Sequence, residues 1–593
     1  MEMILTQTNR GWADGANRAS IDGWATFATA AFLLGAGIFV LLDRIGAPER
    51  LVAALGPALA LAGLATIGFM LRSMRISRFH AAGRATPGAY AGLAMAALGA
   101  GLAAPFAPPL PAGAPLGSVA TGFGLGLALT ALVTGPLLRK AGAFSIADLV
   151  AARFSSLTLR VGVTLAMGAS GLCLGLGGLA MAQRGLVQAT GLGSQASVLL
   201  AAFVVALIVS PGGMAGMVWA ATGAAGLLIA GLAAPLALMI ASGAAIPFPM
   251  IGDGAAFERA LARMGQWGGG PEEASGLIVV ALAIGLAALA PLLAPLMTTP
   301  RTGEARRGGL VGLGWFALLA LMALVGAAAS ALALQSGVAG LRPADLPAFL
   351  LEASGRGLVE ICGRHPATIA QAREACGALP GFAGALRAFD VSASGDYLVL
   401  GLSRLSGFGV AFSGLAMAGL IAIALALSAA GFLAMATALG DDAFYRAHKA
   451  YALKSRRLAV TRLLLLCAIA GATILLMKGA PEPRWLVALA LGLSDVTVGP
   501  LLLLTLWPRA EGLDGAIALI TGLAVAEAII LLPGQTPDVE VLAGAAVGGF
   551  LAAIAAGFAA SFLHPSDDTS PGAAFVHGLL QGEGDVLRPD REA

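Results

Sequence analysis

The side chain most suited to chemistry in this sequence is Asp495. It lies in the middle of the apolar run LVALALGLSDVTVGPLLLLTL, between Ser494 and Thr497, with Pro500 a turn later. An ionisable group at the centre of a spanning helix costs about 2.5 to 3.5 kcal/mol on insertion scales, so it normally faces a cavity or a partner. One chemistry for it is cation or proton coupling. The alternative is a protonated or hydrogen-bonded aspartate that ties two helices together, and no intramembrane base is visible to pair with it. Gln183 and Arg184 form a second polar pair near the outer end of a helix, where snorkelling accounts for the arginine. Glu527 lies closer to a helix end and can reach the interface.

Motifs of soluble enzymes are absent in any usable context. Gly122, Gly124 and Gly126 have the spacing of a phosphate-binding loop but lie inside an apolar run with no preceding strand, which points to helix packing. Gly175, Gly177 and Gly178 read in the same way. The five histidines, His80, His365, His448, His564 and His577, fall in loops or at helix ends, and none is spaced with cysteines or carboxylates as metal ligands are. The expectation is a protein that is not an enzyme, with no cofactor and no metal beyond a coupling Na+.

The elements that must position these residues are membrane helices. Of 593 residues, 58% are hydrophobic and 11% charged, and the mean hydropathy is +0.88. Applying the roughly twenty-residue span criterion, the sequence predicts about 14 transmembrane helices, near 24–42, 51–71, 88–106, 118–138, 156–183, 195–211, 214–241, 276–297, 309–335, 406–438, 459–478, 485–506, 511–533 and 540–563. The first begins near Trp24 behind a polar leader and outruns an ordinary signal-peptide core, so it reads as a spanning helix. The 83 glycines sit within the runs as well as between them, which suits close backbone approach in lipid. Net charge is only +3, and the basic residues are scattered in short loops, which argues against nucleic acid. Loops holding Arg72 to Arg84, Arg139 to Arg153, Arg301 to Arg307 and Arg446 to Arg457 all fall on one side, cytoplasmic by the positive-inside rule. Two long loops, 242–275 and 336–405, are then external. The second carries Cys362 and Cys376, which an oxidising periplasm would tend to join in a disulfide. Cys173 and Cys467 read as small residues within spans.

Glycine and proline interrupt two of these runs. Gly92, Gly99, Gly101 and Pro105 occur in the third, and Gly285, Pro291 and Pro295 in the eighth. Both segments could be discontinuous, and they are five helices apart, as the interrupted helices of inverted-repeat transporters are.

A family resemblance follows from the motifs in order. FHAAGRATPGAYAGLAMA (79–96), LRKAGAFSIADLVAARF (138–154), Ala182-Gln183, Gly212, Gly213, Met214 and Trp219, Thr302 with Glu304 to Arg306, LSAAGFLAMATALGDDAFYRAH (427–448), Trp507-Pro508 and FVHGLLQGEG (575–584) together resemble the sodium:solute symporter family, particularly its acetate permeases. The resemblance spans roughly residues 50–593. It implies an all-α fold of the leucine-transporter type, an inverted five-plus-five helix repeat with peripheral helices. The implied divisions are a leader and two peripheral helices (1–87), a first repeat (88–241), the external loop 242–275, a second repeat (276–506), two C-terminal helices (507–563) and a cytoplasmic tail (564–593). It also implies a cation site on Ala96 and Gly99 from the third helix, and Leu425, Ser428 and Ala429 from the tenth. This chain has Leu98 where family members often have aspartate, and Ala429 where they have a hydroxyl. Asp495 stands where they have a small residue, which makes H+ the alternative to Na+ as coupling ion.

The activity implied is symport of acetate or a similar short monocarboxylate by alternating access, in the inner (plasma) membrane. Gln183, Ser428 and Thr497 are the candidate solute contacts; each could instead be an interhelical hydrogen bond. The rival expectation is an uncoupled transporter-like sensor, or a subunit beside a small membrane partner.

Overall fold

The computed structural model describes residues 15–107, 116–154, 156–241, 247–248, 251–252, 254–268, 276–387, 390–394, 398–399, 409–440, 454–479, 481–531, 539–563, 571–581 and 586. Two peripheral helices, α1 (Gly15–Arg44) and α2 (Glu49–Met70), lead through a short α3 (Ile76–Ala81) to α4 (Gly88–Ala103). Next come α5 (Leu116–Leu129), a π-helical turn at Thr130–Thr134, α6 (Gly135–Ala141), the short α7 (Ile146–Phe154) and the long α8 (Leu157–Thr190) and α9 (Ser194–Ala241). After α10 (Gly254–Gly268) the chain forms α11 (Gly276–Ala288), α12 (Ala290–Met297) and α13 (Thr302–Val338). Short helices α14 (Ala348–Gly355) and α15 (Ile369–Gly377) precede α16 (Val410–Thr437), α17 (Lys454–Lys478) and α18 (Pro483–Leu493). A second π-helical turn at Ser494–Val498 leads to α19 (Gly499–Thr505), followed by α20 (Gly512–Ile530), α21 (Val539–Ser561) and α22 (Pro571–Gln581).

By length and hydropathy, 11 helices can cross a membrane, and the bent pair α11–α12 brings the number to 12. The protein is therefore a multi-pass membrane protein. One of those helices, α9, is 48 residues long, about 72 Å if straight, which is more than twice a hydrocarbon core. It is two spans. At Gly213 the backbone takes φ 56 and ψ −137, and the Cβ position of Gly216 lies 2.3 Å from the carbonyl oxygen of Ile208, so the chain doubles back there. Only glycine adopts that conformation readily, and Phe79 packs where a side chain would go, with its Cδ2 2.6 Å from the Gly213 Cβ position.

The bundle is joined along two glycine seams. Between α4 and α13, the Cβ position of Gly92 is 2.2 Å from the oxygen of Gly308, and that of Gly312 is 2.6 Å from the oxygen of Gly92. Glu304, in the first turn of α13, accepts from the backbone N–H of Gly88 at 3.1 Å and aligns the two helix starts. Between α8 and α16, Gly171, Gly175 and Gly178 meet Gly431 and the backbone of Ser428. These contacts explain one departure from the sequence expectation. The third run is not discontinuous: α4 is regular from Gly88 to Ala103 and ends in a 3₁₀ turn at Ala104–Phe106 that contains Pro105. Its glycines allow close approach, and the neighbours they admit hold the helix straight. Gly122 and Gly126 likewise pack against Leu282 and Leu286 of α11.

A lobe outside the spanning helices follows α13. Strands β1 (Val359–Ile361) and β2 (Val391–Ala393) pair antiparallel, with Val359 opposite Ala393, and Cys362 and Cys376 are joined by a disulfide. Arg356 anchors the lobe to the bundle by donating to the carbonyl of Gln188 at 2.9 Å. Residues 441–453, which include the DDAFYRAH exit of α16, lie outside the described residues.

Two outcomes follow from these contacts. Replacing Gly213 with alanine forces a strained conformation against Phe79 and costs about 1 to 3 kcal/mol or more, read as a lower thermal midpoint and reduced yield of monodisperse protein. The Cys362–Cys376 bridge spans a sequence separation of 14, for which chain entropy gives roughly 3 kcal/mol. C362S and C376S therefore make the lobe cleavable by limited proteolysis before the bundle, whereas unchanged protease resistance would show that the bridge contributes nothing to lobe stability.

Candidate functional site

Two helices that carry π-helical turns flank a bent one. The α11–α12 span bends by 44° at Leu289, whose φ of −76 and ψ of 108 are not helical. Pro291 causes the break, because it has no N–H for the carbonyl of Ala287 and its ring would clash with that oxygen. The flanking turns at Thr130–Thr134 and Ser494–Val498 are each followed by the same four residues, Gly-Pro-Leu-Leu, at 135–138 and 499–502. A proline within the helix displaces the carbonyl one turn back, and one extra residue in that turn accommodates it. The Cβ position of Gly135 meets Leu296 of α12, and that of Gly499 lies 3.2 Å from Ile284 of α11. Thr130 Oγ1 donates to Gly126 O at 2.8 Å and also reaches Leu286 O, three residues before the bend, at 3.3 Å.

Asp495 occupies the π-helical turn of the Pro483–Thr505 span and faces the bent helix. It is 1% exposed, and its Oδ2 lies 3.2 Å from the Cβ position of Gly285, one turn before Leu289. The absent side chain of Gly285 is what leaves room for the carboxyl. Among the described residues neither carboxyl oxygen has a hydrogen-bond partner. Beside it, Ser494 Oγ bonds to Ala490 O at 3.0 Å and pairs with Ser170 Oγ of α8 at 3.1 Å, and Ser170 Oγ also donates to Ala490 O at 2.9 Å. The serines thus direct their hydroxyls to Ala490 O and leave the aspartate aside.

The other candidate residues are dispersed. Ser428 Oγ, fully buried, donates to Gly175 O of α8 at 2.9 Å. Thr497 Oγ1 donates to Leu493 O in its own helix. Gln183 turns toward the start of α9, where its Nε2 donates to Ser194 Oγ at 2.6 Å and to Ser194 O at 3.2 Å. Ala96 and Gly99 lie within the unbroken α4 and Leu425 within α16, so their carbonyls accept from their own helices. Sodium requires hard oxygen ligands, and Ala429 has no side-chain oxygen. The Gly-Pro-Leu-Leu repeat was the sequence signal that could have located both flanking helices.

No protein-family model matches this chain, and no curated protein matches it. Among solved structures, a Na+-coupled sialic acid symporter in a substrate-bound, outward-open state is similar, with a TM-score of 0.62 at 14% identity over 88% of this chain and 99% of that one. The chain has the leucine-transporter-type fold. It is an inverted five-plus-five bundle with peripheral helices, the expected class. Weaker likenesses are to Mhp1, a nucleobase-cation-symport-1 family transporter (TM-score 0.44, 13% identity, 86% of this chain and 98% of that one), and to a manganese transporter of Eremococcus coleocola (0.37, 13%, 90% and 97%). At these identities the likeness concerns architecture.

Filling the space at Gly285 tests the contact. G285L drives a side chain into Asp495 and Leu491 and destabilises the protein by about 1 to 3 kcal/mol, the usual range for overpacking, whereas S494A costs only about 0.6 kcal/mol, the average for interhelical bonds in a bilayer. Equal thermal midpoints for G285L and the parent would show that Asp495 does not pack there.

Proposed function

We propose that this protein is a secondary active symporter that imports acetate or a similar short monocarboxylate, coupled to a cation, by rocking of its two halves. In this reading α4 opens the first half, the bent α11–α12 opens the second, and α18–α19 closes it. The observation that carries the reading is the match in architecture along 88% of this chain and 99% of a Na+-coupled symporter. Scarcity of polar groups in the core supports a very small solute, because a larger polar one would need more hydrogen-bond partners than these helices offer.

Of the two coupling ions, the proton is favoured. Asp495 is a buried carboxyl on a bulged helix, one turn from the bend of the helix it touches. In such a site an ionised carboxylate needs a counter-charge or water, and a protonated one does not. Loss of the proton would thus favour a conformation that admits water beside α11, and gain of the proton would favour the dry one. A coupling residue must prefer different conformations in its two states in this way. The sodium set of the resembling family lacks a hydroxyl at Ala429.

Liposomes containing the protein, supplied with labelled acetate, separate these possibilities. Accumulation is expected under an inward proton gradient, rising as the external pH is lowered, and lost in D495N while the variant remains folded. Accumulation under a sodium gradient alone would overturn the proton assignment. An absence of uptake in tight vesicles under any gradient would overturn the acetate assignment, and saturable binding without accumulation would favour an uncoupled sensor.

A further inference from the structure

A cavity of about 240 Å³ lies near the ends of several spanning helices, on the side the positive-inside rule makes external. Its walls come from the end of α4, the last turns of α8, the outer half of α16 and the start of α18, and Ser394 of the external lobe forms part of its lining. Small-molecule sites for drug-sized ligands run from about 300 Å³ upward, so this one suits a smaller solute. Much of the wall is aliphatic, and the polar groups in it are few: Arg184 and Gln188 on α8, Glu482 and Arg484 at the start of α18, and Ser394.

Charge in the cavity is unbalanced. Arg184 is exposed and has no hydrogen-bond or ion-pair partner among the described residues, so its charge is available to a solute in the cavity. Arg484 pairs through Nη2 with Glu482 at 3.2 Å, but its Nε is buried and has no partner among the described residues. Two guanidinium groups against one carboxylate leave a net charge of +1. A buried guanidinium N–H without an acceptor is costly, and a planar guanidinium is well matched to a carboxylate by paired N–H donors. Gln188 adds a neutral donor around the same space, with its backbone carbonyl already held by Arg356.

We propose that this cavity is an outer binding site for a small organic monoanion, whose carboxylate is held between Arg184 and Arg484 with Ser394 of the external lobe closing over it. The choice of a carboxylate rests on the monocarboxylate reading above; the anion site rests on the cavity and its charge. The site lies well outside the level of Asp495, since the 11 residues from Arg484 to Asp495 span about 16 Å of helix. It acts as a first station that selects an anion before the bundle rearranges. Inorganic anions share this chemistry, so chloride is the competing occupant to be distinguished.

The experiment is equilibrium binding of labelled acetate to the purified full chain in lipid nanodiscs, at low and then at high chloride, paired with uptake by liposomes. Wild type is expected to bind acetate saturably, with affinity reduced about tenfold or more in R184Q and in R484Q, in keeping with loss of a charge-assisted contact. R184K and R484K, which retain the charge, are expected to recover part of the loss and to control for folding. Unchanged acetate affinity in folded R184Q and R484Q would overturn the proposal. Chloride binding that depends on the arginines, without acetate binding, would overturn the carboxylate assignment. Arginine-dependent acetate binding without uptake by wild type would support the site and count against the transport reading.

Discussion

The constraint on which this structure depends is that backbone N–H and C=O groups in lipid must find partners within the protein. The protein meets it at places where helices end or turn. Arg139 donates to the carbonyls of Thr299 and Pro300 in the turn between α12 and α13. Arg153 does the same for Thr505, Trp507 and Pro508 after α19, and Arg462 for Ser73 and Pro211 beside the Gly213 turn. Each arginine reaches an otherwise exposed helix C-terminus, where its charge also complements the helix dipole. Segments that look merely basic in the sequence are thus clasps between distant parts of the chain.

Within the membrane the same constraint determines where the backbone can be irregular. The two glycine seams bring helices into backbone contact, and α4 and α16 are regular along them. One bend and two π-helical turns are gathered in one place, with α11–α12 held between the turns after α5 and α18. Here Thr130, Ser170 and Ser494 satisfy backbone oxygens, while the Asp495 carboxyl and the Thr134 hydroxyl have unmet hydrogen-bonding capacity among the described residues. A straight, glycine-packed scaffold around one bent element is an arrangement in which a local change in charge can favour one packing over another.

The lobe after α13, tied internally by its disulfide and to α8 through Arg356, contributes to a cavity that the spanning helices do not complete by themselves. The chain thereby has polar features at two depths, an arginine-lined outer cavity and a carboxyl at the bend. Between them the core is almost entirely apolar, with Phe106, Phe123 and Phe316 packed in succession next to α4.

The sequence by itself determined the membrane class and the limits of most helices to within a few residues, because hydropathy and span length are local properties that lipid imposes directly; the leucine-transporter-type fold was implied by the family resemblance of its motifs. It also marked Asp495, since a charge amid leucines stands out whatever surrounds it. Only the tertiary structure decided what the polar residues do. Ser428, Gln183 and Thr497 look alike in sequence as candidate contacts, yet each is engaged with Gly175, Ser194 or Leu493, because hydrogen-bond partners are chosen by helix rotation and pairing. Glycine and proline mark both the third and the eighth runs; only the eighth is bent, because Pro291 removes a bond within the span whereas Pro105 falls beyond the end of α4. Arg184 and Arg484 are 300 residues apart, and only the packing of α8 against α18 brings them into one cavity.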